Sequence, residues 1–212
     1  MRLLDLFCGA GGAAMGYSRA GFTDIVGVDS APQKHYPFAF VQADALEYVA
    51  AHGRDFDFIH ASPPCQAYSK LTPQAYKANH PDLILSVSAL LRSIGKPYVV
   101  ENVSGARHLL NAPLLLCGSM FGLPIFRHRF FECSFTMLSF SCAHDFLPIL
   151  ISGTIRRKGQ KRTEPSVSIR KKAMGIDWMS GRELDQAVPP AYTEFIGNHF
   201  LSQPATRKAE EQ

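Results

Sequence analysis

Residues 1–14 read MRLLDLFCGAGGAA, a short apolar run closed by a cluster of glycines. An apolar run of this length is how a parallel strand buried on both faces looks. Gly9-Ala10-Gly11-Gly12-Ala13-Ala14 then fits the G-x-G-x-x-A form of a nucleotide-binding turn, in which glycines let the backbone bend sharply and approach a ligand. Asp29 stands 18 residues after Gly11, at the end of the next apolar run, where a carboxylate can accept from ribose hydroxyls. NAD and S-adenosylmethionine share the adenosine half, so this turn does not separate them. A bare strand–helix turn without ligand also reads from the same glycines. Asp44, after a third run, is either another adenosine contact or the cap of a following helix.

Outward from this stretch, apolar runs at Leu3–Phe7, Ile25–Asp29, Phe38–Asp44, Phe56–Ala61 and Tyr98–Val100 predict strands. Pro81–Ile94 predicts a helix, with Leu83, Val87, Leu90, Leu91 and Ile94 on one side and Gly95 as its stop; Pro190–Leu201 predicts another. Alternation of strand and helix implies an α/β fold with a doubly wound, mostly parallel sheet, and ligands at the carboxyl ends of its strands. A chain of 212 residues with 46% hydrophobic content is long enough to bury the core of one such domain. No apolar run approaches the ~20 residues of a membrane span. The five cysteines are odd in number and widely spread, which suggests reduced thiols and a cytoplasmic setting.

From about Cys133 to Lys172 the alternation fails, and an irregular insert is expected. The whole chain carries a net charge of only +4, yet between Ile155 and Ala173 the eight residues Arg156, Arg157, Lys158, Lys161, Arg162, Arg170, Lys171 and Lys172 meet Glu164 alone. Such a cluster reads either as a footprint for nucleic-acid phosphates or as a solvated loop. Cys133, Cys142 and His144 form a C-x8-C-x-H set. With three ligands and no close cysteine pair, no metal is expected.

Ser62-Pro63-Pro64-Cys65-Gln66 follows the fourth run. Two prolines stiffen the chain and hold a cysteine at the ligand edge of the sheet, where a helix N-terminus or nearby cations would lower its pKa to give a thiolate nucleophile. An inert buried cysteine is the plainer alternative.

Taken together, these motifs resemble those of the cytosine-C5 DNA methyltransferase family. Asp5–Gly12 resembles its cofactor loop and Ser62–Gln66 its nucleophile loop. Glu101-Asn102-Val103 is similar to its glutamate motif, Arg127-His128-Arg129 to its paired arginines, and Ala187-Val188-Pro189-Pro190 to its last motif. The resemblance covers roughly residues 1–135 and 173–201. It implies a Rossmann-like fold of the class I S-adenosylmethionine-dependent methyltransferases. The implied cofactor is S-adenosyl-L-methionine, leaving S-adenosyl-L-homocysteine, held by Phe7, Gly9, Ala10, Gly11, Gly12, Asp29, Ser30, Asp44, Ala45, Pro64, Gln186 and Val188. Cys65 would add to C6 of a cytosine flipped out of duplex DNA, and Glu101 would hold N3 and the amine. Arg129 would contact O2, and Arg127 would position the Cys65 loop or a phosphate.

Departures from the family pattern are Ile125 for a glutamine, Asp185-Gln186 for a Gly-Asn pair with Gln186 standing in, and Asp29 for a commoner glutamate. A large target-recognition domain is reduced to about 136–172, as in compact phage-encoded relatives, which would place the enzyme in the cytoplasm of a bacterial host. The expected organisation is a catalytic domain of 1–135 and 173–205, a basic insert of 136–172 and a flexible tail of 206–212. That insert implies salt-dependent DNA binding with short or relaxed sequence preference, or a partner protein or oligomer that supplies recognition. RNA or a free nucleotide as substrate, a nicotinamide oxidoreductase, and a nucleic-acid-binding module without turnover are the competing readings.

Overall fold

A computed structural model describes residues 1–65, 68, 83–138, 140–157 and 160–203, with the side chains of 154–162 outside the description. The opening run forms β1 (Arg2–Leu6), whose Leu3, Leu4 and Leu6 are buried on both faces of the sheet. Gly11, in the left-handed region at φ 81°, turns the chain into α1 (Gly12–Ala20). There follow β2 (Asp24–Asp29), β3 (Ala39–Gln42), α2 (Ala45–His52), β4 (Phe58–Ala61), α3 (Ile84–Ile94) and β5 (Tyr98–Asn102). The predicted helix therefore starts at Ile84, and the start proposed at Pro81 lies outside the described residues.

β6 (Leu114–Leu116) and β7 (Arg129–Cys133) complete a seven-stranded sheet of order β3-β2-β1-β4-β5-β7-β6. The first five strands are mutually parallel, and β7 runs antiparallel between β5 and β6. The fold is thus the mostly parallel, doubly wound sheet that the alternation implies. β7 carries a buried acid, Glu132, next to Phe130, Phe131 and Cys133. Arg92 and the Tyr98 hydroxyl donate to its Oε1, while the Asn111 amide and the Ser88 hydroxyl donate to its Oε2. A buried carboxylate with four donors is compensated, so it fixes the register of β7 against β5 and α3.

One face of the sheet packs on α1 and on α6 (Pro190–Leu201), around Tyr17, Phe22, Phe58, Tyr192 and Ile196; the other packs on α2 and α3, around Val49, Ile59, Leu91 and Ile94. α1 and α6 approach closely because Gly16 has no side chain; a Cβ there would strike Thr193 and the Pro190 carbonyl. Thr193 closes the contact by donating to the Ala13 carbonyl at 2.8 Å.

The insert contains an antiparallel hairpin of β8 (Thr154–Arg157) and β9 (Gln160–Thr163) and the start of α4 (Val167–Met174), and α5 (Gly181–Gln186) follows it. α4 runs across the boundary expected at residue 172. Ile151, Ala173 and Met174 join Ala10, Ile125 and Leu184 in a third core, which explains why position 125 is isoleucine: it is buried beneath the insert. Among the described residues no helix is long and apolar enough to cross a membrane.

Candidate active site

The strand order reverses direction between β1 and β4, so the loops that leave these two strands straddle the switch point where open α/β sheets bind ligands. Phe7–Gly12 leaves β1, Asp29–Ser30 leaves β2, Asp44–Ala45 follows β3, and Ser62–Cys65 follows β4. Phe7 itself is held at φ 56°, an unfavourable region for a side chain of its size. Gly9 sits at φ 48°, and a Cβ there would meet nothing within 4 Å, so the loop leaves an open cradle beside its backbone. The Asp29 carboxylate accepts from the Gly9 amide through Oδ2 and from the Ala31 amide through Oδ1. It therefore shapes the loop as well as facing the cradle's edge. Asp44 caps α2, its Oδ1 accepting from the amides of Leu46 and Glu47.

The C-terminal segment closes over this loop. Trp178 donates from its indole nitrogen to the Ala10 carbonyl at 2.7 Å, and a Cβ on Gly12 would run into the Val188 carbonyl. Val188 is buried there, whereas Gln186 is exposed at the end of α5.

On the nucleophile side, Asn102 donates to the Pro63 carbonyl at 3.0 Å and the Ser62 amide donates to the Leu6 carbonyl at 3.1 Å, which pins the Pro-Pro turn to β5 and β1. A buried chain runs beneath it: the Tyr17 hydroxyl meets His60 Nδ1, His60 Nε2 meets the Ser62 hydroxyl, and Ser62 hydrogen-bonds the Glu101 carboxyl. Burial pushes His60 down to about 3, so it is neutral and serves as a hydrogen-bonding spacer.

Glu101 is buried at the end of β5, with Arg129 Nε 2.9 Å from its Oε1. The approach lacks hydrogen-bond alignment, and Oε1 accepts no hydrogen bond. Charge proximity and directed bonding differ here, and the geometry leaves a buried acceptor available to a ligand. Burial raises the Glu101 pKa, opposed by Arg129, Ser62 and Arg127.

Cys65 and Arg127 lie in surroundings that the sequence did not disclose. Burial, then the Glu101 charge, raises the Cys65 pKa, and Arg129, its own backbone and Arg127 only partly oppose this. The site therefore holds Cys65 as a thiol, because desolvation disfavours the thiolate more than two guanidinium groups favour it. Among the described residues, the hydrogen bonds of Arg127 go to the last motif. Arg127 is buried, with Nε donating to the Ala187 carbonyl and Nη2 to the Asp185 carbonyl, and Tyr192 donates to its own carbonyl. Burial lowers its pKa to about 9. Arg127 positions the last motif.

The basic cluster divides. Arg170 is buried, and its Nη1 donates to the Ile151 carbonyl and to Asp185 Oδ1, so it is an internal tie instead of a phosphate contact. This also accounts for Asp185 in the last motif. Lys171 donates to the Asp177 carbonyl and, with the exposed Lys172, lines a groove beside Arg19 at the far end of α1. Arg156, Arg157, Lys161 and Arg162 belong to the β8–β9 hairpin, with side chains outside the description, and Lys158 lies outside the described residues. Sequence reasoning also missed one constellation: Cys117 and His128 gather with Cys142 and His144, while Cys133 does not.

A family model, C-5 cytosine-specific DNA methylase, matches residues 1–116. The Type II methyltransferase M.XorII of Xanthomonas oryzae pv. oryzae is 31% identical over 118 residues, covering 48% of this chain and 28% of that protein. M.FnuDI of Fusobacterium nucleatum is 32% identical over 114 residues, covering 50% of this chain and 33% of that protein. The chain thus matches a third or less of the length of these relatives. The solved Entamoeba histolytica methyltransferase EhMeth superposes with a TM-score of 0.59 at 15% identity, over 95% of this chain and 98% of that one, a likeness of fold.

Proposed function

Because the chain belongs to the C-5 cytosine-specific DNA methylase family, we propose that it transfers a methyl group from S-adenosyl-L-methionine to C5 of cytosine in DNA. The observation that carries this reading is the buried Glu101, with an unbonded Oε1, set between Arg129 and the Cys65 loop at the switch point.

The cofactor fits the residues present. Gly9 leaves the cradle open, Gly11 lets the loop pass against Tyr36 and Pro37, Gly12 lets it pass under the C-terminal segment, and Asp29 and Asp44 stand at the ends of adjacent strands. Phe7, Ala10, Ser30, Ala45, Pro64 and Val188 surround the same edge. When bound, the cofactor supplies an electrophilic methyl group on its sulfonium sulfur.

Cytosine C5 is a weak nucleophile until something adds at C6. The Cys65 thiol gives its proton to water and the sulfur adds there, which turns C5 into the nucleophilic carbon of an enamine. Glu101, protonated with the help of burial, donates to ring N3, and its other oxygen accepts from the exocyclic amine. Its charge is also the second cause of the raised Cys65 pKa. A protonated Glu101 lacks that charge, so the Cys65 thiolate forms at lower cost. Arg129 supports the O2 side of the ring. After methyl transfer the C5 proton passes to water, the Cys65–C6 bond breaks with release of the thiolate, and N3 returns its proton to Glu101. C6 is covered in a stacked duplex, so the base is flipped out to be reached.

DNA is held through phosphates by the hairpin cations and Lys172, with short or relaxed sequence preference, because only residues 134–186 separate β7 from the last motif. The test is methyl transfer from labelled S-adenosyl-L-methionine to duplex DNA, followed by nucleoside analysis. 5-Methylcytosine should form and should vanish with Cys65→Ser; label appearing only in RNA or free nucleotide would overturn the substrate assignment.

A further inference from the structure

The thiols of Cys117 and Cys142 and the imidazoles of His128 and His144 converge, with one ligand atom of each within 4.8 Å of all the others. Cys117 Sγ lies 3.4 Å from His144 Nε2, His128 Nε2 lies 3.2 Å from His144 Nε2, and Cys142 Sγ lies 3.7 Å from His128 Nε2. Tetrahedral zinc, with Zn–S near 2.3 Å and Zn–N near 2.0–2.1 Å, separates its ligands by about 3.8 Å (S to S), 3.6 Å (S to N) and 3.3 Å (N to N). The observed separations fall within a few tenths of an ångström of that figure.

We propose that Cys117, His128, Cys142 and His144 bind one structural zinc ion that staples the segment after β7 onto the edge of the sheet. Two thiolates and two imidazoles form a ligand set suited to zinc, and four protein ligands close the coordination sphere, as a structural site requires. Binding releases the two thiol protons to solvent. The ligands come from separate places in the chain: Cys117 follows β6, His128 precedes β7, and Cys142 and His144 come from the irregular stretch beyond β7. That stretch has no described helix or strand from 134 to 153, and it leaves Leu138 and Leu147 each 75% exposed. Among its described residues from 138 to 147 only Cys142 is even partly buried, which is the situation in which small units use a metal. Phe126 stacks on the His144 ring at 4.0 Å, and the Ser119 hydroxyl donates to Cys117 Sγ, so two of the ligands are already oriented.

The site bears on the chemistry because His128 lies between Arg127 and Arg129. Anchoring its ring fixes the backbone that aims Arg129 at Glu101 and Arg127 at the last motif.

The test is the metal content of the untagged protein after gel filtration, measured by plasma mass spectrometry. About one zinc per chain is expected. Cys142→Ser should retain under a tenth of it, and Cys133→Ser, outside the cluster, should retain all. Chelator-stripped wild-type protein should take up one equivalent of cobalt(II) with the intense visible absorption of a tetrahedral thiolate site, a readout that holds even if Cys142→Ser does not fold. Stripping should also speed proteolysis within 134–153. Metal-free protein that gives no such cobalt spectrum would overturn the proposal, as would equal zinc content in the two serine variants.

Discussion

Arg170→Met separates an internal tie from a DNA contact, and the structure sets its size. The Arg170 side chain is 8% exposed and that of Asp185 40%. Its Nη1 donates at 2.6 Å to the Ile151 carbonyl and at 2.7 Å to Asp185 Oδ1. Charge-assisted bonds contribute about 1.5–3 kcal/mol each, but the half-exposed Asp185 regains water when its partner goes, so its share falls well below that. The carbonyl of buried Ile151 loses its donor, at a cost of about 1–3 kcal/mol. Methionine retains the aliphatic volume and removes Arg170 Nε, a buried donor without an acceptor, which returns about 1 kcal/mol. The net loss is about 2 kcal/mol. With a urea m-value of about 2–3 kcal/mol/M for a domain of this size, the unfolding midpoint falls by about 0.7–1 M. The salt dependence of DNA binding, measured by fluorescence anisotropy, should keep its slope. A lost phosphate contact would lower that slope by about 0.9, and the exposed Lys172→Ala serves as the calibration. An unchanged midpoint together with a slope reduced by about 0.9 would refute the reasoning.

Gly9→Ala should weaken S-adenosyl-L-methionine binding at least tenfold by calorimetry and cost about 1 kcal/mol of stability, because alanine at φ 48° is strained and its methyl enters the cradle. His60 is held neutral with its pKa lowered to about 3, so the folded state binds fewer protons than the unfolded chain between about 6.5 and 3. Stability fully present above pH 6.5 is therefore lost as pH falls toward 3, and His60→Gln should flatten that part of the urea-midpoint profile. Glu101→Gln should lower kcat by about 10²–10⁴ in single-turnover assays while the protein stays folded, since the amide preserves the shape and cannot pass a proton to N3.

The parallel half of the sheet was legible because strands buried on both faces are continuous apolar runs, and each ended at a residue that the structure puts at the ligand edge: Asp29, Asp44 and Ala61 before Ser62. β6 and β7 were not. Three leucines are too few to register as a strand, and β7 opens on Arg129 and buries Glu132, whose four donors come from α3, β5 and Asn111. The motif order pointed to Cys65, Glu101 and Arg129, but the direction of the Cys65 shift depends on a burial that no spacing encodes. The internal ties of Arg127 and Arg170 were hidden because all but one of their acceptors, the carbonyls of Ala187, Asp185 and Ile151, are backbone atoms and leave no trace in side-chain patterns; the exception is Asp185 Oδ1. The four-ligand cluster was invisible for a related reason. Its members are separated by 10, 13 and 1 residues and meet only because β6 pairs with β7.

The central claim is that the Cys65 sulfur bonds to C6 of cytosine during methyl transfer. The most direct measurement uses duplex DNA containing 5-fluorocytosine, labelled S-adenosyl-L-methionine and a Cys65→Ala control. Fluorine cannot leave C5 as a proton does, so the methylated intermediate stays attached to the protein. The account predicts a labelled protein–DNA adduct that survives denaturing gel electrophoresis and is absent in the control. Label transferred to DNA with no adduct, or an adduct that persists without Cys65, would contradict it.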